Sequence, residues 1–235
     1  MINFPIEYSE VAQLYRQTIS QGLKVIAIAS MESGEGTTLL ARTLAERSAS
    51  TGQKTLLVDI NIANPQLDQI YSISRQDWHP GDLSNLPVQK TGVENLHVLA
   101  SPTTNASRWE FRDLGHLSKL IETLRGEFDQ VIFDTSPLGR CNQWNIPSDG
   151  LCSCTDGTLL CVLTGVTSEN KIRDAVALLK TVNARLHGAV LNDRYAPSLL
   201  AELIRETARL ERLFPRISAK LRKLLRNSTL LNVDI

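Results

Sequence analysis

No stretch of this chain approaches the roughly 20 consecutive apolar residues that a membrane-spanning helix needs. Its N-terminus, Met1-Ile2-Asn3-Phe4-Pro5-Ile6-Glu7, has neither the basic start nor the apolar run of a secretory leader. No charge is in surplus: 25 Lys and Arg meet 25 Asp and Glu, which gives no reason to expect nucleic acid or another polyanion as partner. Cysteine is scarce. Of Cys141, Cys152, Cys154 and Cys161, the middle two form a C-x-C, but no second pair follows at zinc-like spacing. Cys161 falls inside an apolar run and reads as a small core residue, and without a leader disulfides are not expected. These absences argue against a disulfide scaffold, a zinc ribbon and an integral membrane protein, and for a cytoplasmic one. With 235 residues and 42% hydrophobic composition, the chain can bury one good-sized α/β core.

The absence with the largest chemical consequence is a single lysine. An apolar run, Val25 to Ala29, ends in Ser30-Met31-Glu32-Ser33-Gly34-Glu35-Gly36-Thr37-Thr38-Leu39, after which Leu40, Ala41, Leu44 and Ala45 fall at helical spacing. Strand, glycine-bearing turn and helix in that order make a phosphate-binding loop, whose backbone N–H groups and helix N-terminus favour an anion. The usual pattern sets Lys after the last Gly and before Ser or Thr, and Thr37 stands there. Thr38, which would offer its hydroxyl to Mg²⁺, is present. The residues Ser33, Gly34, Glu35, Gly36, Thr37, Thr38 and Leu39 are therefore nucleotide-binding candidates that lack their point charge. Removing one preorganised donor from such a site costs about 3–4 kcal/mol of transition-state stabilisation. Lys24 lies at the far end of the strand and Arg42 more than a turn into the helix, so neither replaces it.

The rest of the chain alternates strand and helix. Residues 8–20 carry Val11, Leu14, Tyr15, Thr18 and Ile19 on one helical face, with Glu10, Gln13 and Arg16 on the other, and Gly22 closes that helix. Strands are expected at 54–59, 96–100, 130–134, 158–164 and 186–191, and helices at 38–50, 67–71, 107–128 and 169–182. Residues 73–95 read as a polar surface loop and 135–149 as irregular. Continuous apolar strands alternating with helices imply a mostly parallel sheet covered on both faces, a three-layer α/β/α fold of the P-loop NTPase type. Ligands bind such sheets at the carboxyl ends of the strands, where Ser30, Asp59, Asp134 and Asn192 emerge. A lone strand-end acid is otherwise a turn or cap residue, but Asp59 and Asp134 share one edge with the glycine loop. Asn192 suits a cap and base recognition equally. Residues 196–235 hold two amphipathic stripes, the second basic through Arg216, Lys220, Arg222, Lys223 and Arg226. Such a helix either packs on the sheet with its charges solvated or lies on an anionic membrane or acidic partner.

Taken in order, Gly34-Glu35-Gly36-x-Thr38, Leu57-Val58-Asp59, Asn64-Pro65 and Phe128-Asp129-Gln130-Val131-Ile132-Phe133-Asp134-Thr135-Ser136-Pro137 resemble the bacterial tyrosine kinases of capsule and exopolysaccharide synthesis, relatives of the Min and Par positioning ATPases. The likeness covers residues 8–193 and includes Asp156-Gly157, Val190-Leu191-Asn192 and Ser107-Arg108-Trp109-Glu110-Phe111. It implies Mg-ATP or Mg-ADP as ligand, Asp59 and Asp134 as catalytic acids, and Thr38 with Asp134 as metal ligands. It also implies ring assembly through the first helix (Glu10, Gln13 and Arg16, with Gln where the family has its first Arg). The implied partner is a membrane-embedded, Wzz-like polysaccharide chain-length regulator, which would place the protein at the inner face of the plasma membrane.

The departures are systematic. Thr37 replaces the loop Lys, Asn61 the second Asp, and Ala63 and Asn64 an Arg pair, while the C-terminal tyrosine cluster is absent; the tyrosines are Tyr8, Tyr15, Tyr71 and Tyr195. The expectation is a pseudokinase-like regulator of exopolysaccharide synthesis or export, organised as an interaction helix (1–22), a P-loop domain (23–195) and basic helices (196–235). Two alternatives remain open: an active autokinase or ATPase that recruits a charge from a neighbouring subunit, and a Min-like positioning ATPase.

Overall fold

A computed structural model describes residues 5–103, 109–139 and 146–194. The chain divides into two compact units, residues 1–163 with 167–192, and residues 164–166 with 193–235. Of the second unit the described residues are 164–166, 193 and 194, with Gly165 at φ +74° in a turn. The basic stripes at 196–235 and Tyr195 lie outside the described residues.

The first unit is built on a seven-stranded sheet of order β3-β4-β2-β5-β1-β6-β7. Its strands are β1 (Val25–Ser30), β2 (Thr55–Asp59), β3 (Gln89–Lys90), β4 (Leu96–Leu99), β5 (Gln130–Asp134), β6 (Gly157–Leu163) and β7 (Leu186–Asn192). All neighbours run parallel except β3, which pairs antiparallel with β4. The helices are α1 (Ser9–Gln17), α2 (Thr37–Ser50), α3 (Leu67–Tyr71), α4 (Leu114–Glu127), α5 (Ser148–Cys154) and α6 (Glu169–Thr181).

Successive side chains of a strand point to opposite faces, and β1 obeys this with apolar residues on both. Val25 packs with Leu117, Leu120 and Leu124 of α4; Ile26 and Ile28 pack with Ala41, Leu44 and Ala45 of α2; Ala27 and Ala29 face Ala175 and Leu179 of α6. One face is covered by α4, α5 and α6, the other by α1, α2 and α3, which is the expected three-layer arrangement. The chain leaves β1 towards β2 on one side and leaves β5 towards β6 on the other. A crevice therefore opens at the carboxyl ends of the adjacent strands β1 and β5. The glycine loop and Asp134 flank it.

Several local expectations need correction. The predicted helix over 107–128 is two pieces, a 3₁₀ turn at Glu110–Arg112 and then α4, because Asp113 caps α4 by accepting from the His116 N–H. The first helix likewise ends at Gln17 and continues as a 3₁₀ turn at Ile19–Gln21 closed by Gly22 at φ +91°. Part of the stretch expected to be irregular, 135–149, opens α5, which carries both Cys152 and Cys154. The polar stretch 73–95 holds β3 and is anchored to the core by one aromatic residue. Trp78 is buried, donates its indole N–H to the Ala100 carbonyl at 2.7 Å, and meets Phe111 edge-to-face at 5.2 Å between ring centres. Trp78→Ala is expected to cost about 3–5 kcal/mol in denaturant unfolding. Trp78→Phe, which keeps a ring against Phe111 and loses the hydrogen bond, is expected to cost less.

Candidate phosphate site

The loop between β1 and α2 is shaped from inside. Gly34 and Gly36 take φ of +85° and +101°, left-handed conformations that side chains resist. At Gly36 a Cβ would also sit 2.4 Å from Asn192 Nδ2, so a side chain there would have to push the Asn192 amide off the loop. Glu35 turns its carboxylate inward: Oε2 accepts from the N–H of Met31 at 2.9 Å and of Glu32 at 3.1 Å, and Oε1 meets the Thr167 hydroxyl. The Glu35 carbonyl in turn accepts from the Cys161 thiol and from Asn192 Nδ2, both at 2.9 Å. Burial first, and the nearby Glu35 second, push the Cys161 thiol up to about 12, so it stays protonated and able to donate. Asn192 thus braces the loop through its amide, and the Glu35 side chain contributes structure.

What the loop offers a ligand is its other side. Gly36 is the N-cap of the 14-residue α2, no side chain caps that end, and its carbonyl accepts from the Leu40 N–H at 3.0 Å. The N–H groups of the first turn, including those of Thr37, Thr38 and Leu39, therefore point out of the helix end with its partial positive charge. Ser33 and Gly34 are exposed, and Thr38 is buried beneath them.

The two strand-end acids are register partners across β2 and β5, yet their environments differ. Asp59 accepts three backbone N–H bonds, from Asn61 at 2.8 Å, Gln66 at 3.2 Å and Leu67 at 3.4 Å, which fold the turn into α3. Burial nonetheless pushes it up to about 6. Asp134 is buried, and among the described residues neither of its oxygens has a hydrogen-bond partner. Burial first, and the Asp59 charge second, raise it well above the carboxylate range. The Thr38 and Thr37 side chains lie close enough to pull the other way, but neither reaches hydrogen-bond geometry with it. A buried carboxylate without partners is costly unless something binds it. A divalent cation fits that gap. No group of three His, Cys, Asp or Glu side chains among the described residues could hold one alone, so Asp134 and the Thr38 hydroxyl would need oxygens brought by a phosphate ligand. Asp59, already bonded to backbone, is better placed to shape the turn than to act on a ligand.

The other residues singled out from the sequence lie away from the loop. Glu10, Gln13 and Arg16 are exposed along α1. Arg42 is bound to Glu46 at 2.8 Å on the far side of α2 from the loop's mouth. Asp156 tucks under the opposite edge of the sheet, accepting from the N–H groups of Lys24 and Val25 and pairing with Arg125. Sequence reasoning missed Lys171. It sits in the first turn of α6, after the N-cap Ser168, and its Nζ lies 2.5 Å from Glu32 Oε2 in the loop. The signal was available: a Ser-Glu-x-Lys helix start directly after a strand whose carboxyl end faces the crevice.

Both acids carry raised pKa values, so the folded chain retains protons that the unfolded chain has released above about pH 4. Stability without ligand is therefore fully present below that value and falls as pH rises through about 6 for Asp59 and through the raised range of Asp134. Thermal midpoints measured from about pH 5 to about pH 9 should decline for the native chain. Asp134→Asn should flatten that decline; an identical profile would mean that Asp134 carries no such penalty.

No family model matches the chain. Among curated proteins it is 30% identical over 177 residues to the tyrosine-protein kinase CpsD of Streptococcus pneumoniae serotype 4, covering 72% of this chain and 76% of that one. It is 27% identical over 177 residues to the succinoglycan biosynthesis transport protein ExoP of Rhizobium meliloti, of which it covers 22%. Among solved structures, the kinase domain of the Escherichia coli tyrosine kinase ETK superposes with a TM-score of 0.68 at 19% identity, covering 84% of each chain. The septum site-determining protein MinD of Pyrococcus horikoshii, complexed with Mg-ADP, superposes with a TM-score of 0.59 at 19% identity, covering 74% of this chain and 71% of that one. These superpositions show the fold, and the match to CpsD establishes that this chain belongs to the bacterial tyrosine kinase family.

Proposed function

We propose that this chain is a kinase-derived regulator of exopolysaccharide or capsule synthesis that senses a nucleotide weakly and acts by binding, not by phosphoryl transfer. The observation that carries the proposal is the combination at the helix end: an α2 start that no side chain caps, a buried Asp134 without a partner among the described residues, and Thr37 where the usual pattern has Lys. In this reading the N–H groups of the loop and first helical turn hold the phosphates of ATP or ADP. Thr38 and Asp134 hold Mg²⁺, which supplies the positive charge that links protein to phosphate. Thr37 can donate a hydrogen bond to a phosphate oxygen but cannot neutralise the charge that builds up during transfer. Two of the four tyrosines support the same reading. Tyr71 is half-buried with its hydroxyl on Glu46, and Tyr15 shares a hydrogen bond with Thr51, so neither resembles a target tail.

The exopolysaccharide assignment rests on family membership and on the named role of ExoP in succinoglycan biosynthesis and transport. A membrane-embedded chain-length regulator is the proposed partner, and the exposed α1 face of Glu10, Gln13 and Arg16 is the proposed contact for a homo-oligomer or for that partner. No helix among the described residues is long and apolar enough to cross a membrane. Association with the inner membrane surface would fall to the partner or to the basic stripe beyond residue 215.

Calorimetric titration with Mg-ADP should show weak binding by the native chain and at least about tenfold tighter binding by Thr37→Lys. ATP turnover by the native chain should lie about 10²–10³ below that of a lysine-bearing relative. Turnover at the relative's rate, or phosphotyrosine on the native chain after incubation with Mg-ATP, would overturn the regulator reading in favour of an active autokinase.

A further inference from the structure

A cavity of about 280 Å³ is lined by Met31, Glu32, Ser33, Gly139 and Lys171. Its walls come from the loop after β1, the loop after β5 and the start of α6, so it lies on the same sheet edge as the phosphate cradle. The start of α6 is fastened there. The Thr167 hydroxyl binds the Glu35 carboxylate within the loop and also accepts from the Leu163 N–H, while Ser168 caps the helix by accepting from the Lys171 N–H. Lys171 is thus held on a short tether whose base is bonded to the loop itself. The other cations considered for the role are elsewhere: Arg42 is engaged by Glu46, and the Lys24 backbone is bonded to Asp156 at the opposite edge.

The partner that Lys171 has in this structure is a poor long-term one. Both side chains of the Glu32–Lys171 pair are about half exposed, and ion pairs in that setting are weak because water screens them and both side chains lose freedom. A polyphosphate carries several negative charges and three or more acceptor oxygens, so it competes with one carboxylate for the ammonium on favourable terms. Glu32 in turn would repel that ligand unless neutralised, and Lys171 is the group that neutralises it.

We infer that Lys171 supplies to the terminal phosphates of a nucleoside di- or triphosphate the positive charge that Thr37 does not, with Glu32 holding the ammonium beside the loop until the ligand displaces it. The inference rests on the reading of the loop as a nucleotide site. It replaces a charge from the helix start by one from α6, across the crevice mouth. A lysine there adds binding free energy without standing at the helix start, where the family's catalytic lysine acts, so it is consistent with a chain that binds more than it turns over.

The test is titration of the full chain with Mg-ADP at low and moderate salt, with circular dichroism confirming that each variant is folded. Lys171→Gln should weaken binding by about fivefold or more, and Glu32→Gln should tighten it by about threefold, both effects shrinking with salt. Arg173→Gln removes the same charge two residues on, from a pair with Glu169 on the exposed face of α6, and should leave affinity within about twofold. Equal affinity for native and Lys171→Gln overturns this inference while leaving the nucleotide reading intact. Equal weakening by Lys171→Gln and Arg173→Gln also overturns it, since only the general field of α6 would then be acting. No binding by the native chain under any of these conditions overturns both.

Discussion

The site depends on what one buried carboxylate does to a loop that has no shape of its own. Glycines at 34 and 36 permit the loop's left-handed turns, but permission is not preference, because glycine gives up more conformational freedom on folding than any other residue. Glu35 resolves this by binding two N–H groups of its own loop and the hydroxyl that opens α6. Its carbonyl ties the same loop to Cys161 on β6 and Asn192 on β7. Three successive strand ends are thereby joined through one residue, and the open end of α2 is left facing the crevice. None of these bonds involves the side chain of residue 37. The cradle's shape and its missing charge are therefore independent features.

The contrast between Asp59 and Asp134 shows how one residue type is put to two uses. They stand opposite each other in adjacent strands, both buried. Asp59 is surrounded by backbone donors and organises the turn into α3, as acids at strand ends commonly do. Asp134 has no donors among the described residues, and its proximity to Asp59 makes its ionised form less favourable still. Stability would be better served by almost any apolar residue of similar size at 134. An arrangement that disfavours the unliganded fold is intelligible where a cation and a phosphate complete it.

Much of this was legible in the chain itself, for definable reasons. The strands β1, β2, β5 and β6 announce themselves because a strand buried on both faces must be apolar throughout, and their order of appearance between helices dictates a parallel sheet. The loop was legible because its glycines are required by backbone geometry. The start of α4 was not, since Phe111 continues the helical spacing while Asp113, a capping residue, interrupts the helix behind it. Trp78 was hidden in a polar stretch because burial of a single indole leaves no periodicity. Lys171 was missed because its relevance arises from the crossover that returns α6 to the crevice, 139 residues from Glu32 in sequence. Glu35 and Asn192 stand out in the chain by their places in the glycine loop and at a strand end, but whether such residues face a ligand or brace the loop is decided by contacts no spacing encodes.

One feature at the sheet's margin bears on how copies of this chain can meet. Beyond β4 the sheet ends in β3, a strand of two residues, Gln89 and Lys90, running against its neighbour's direction. A strand that short and polar presents too few aligned backbone groups to template another chain. That margin is closed to growth by strand addition, a common route by which exposed sheets aggregate. Assemblies involving this side of the molecule must be made through side chains, on helices or loops, where charge and shape can select the partner.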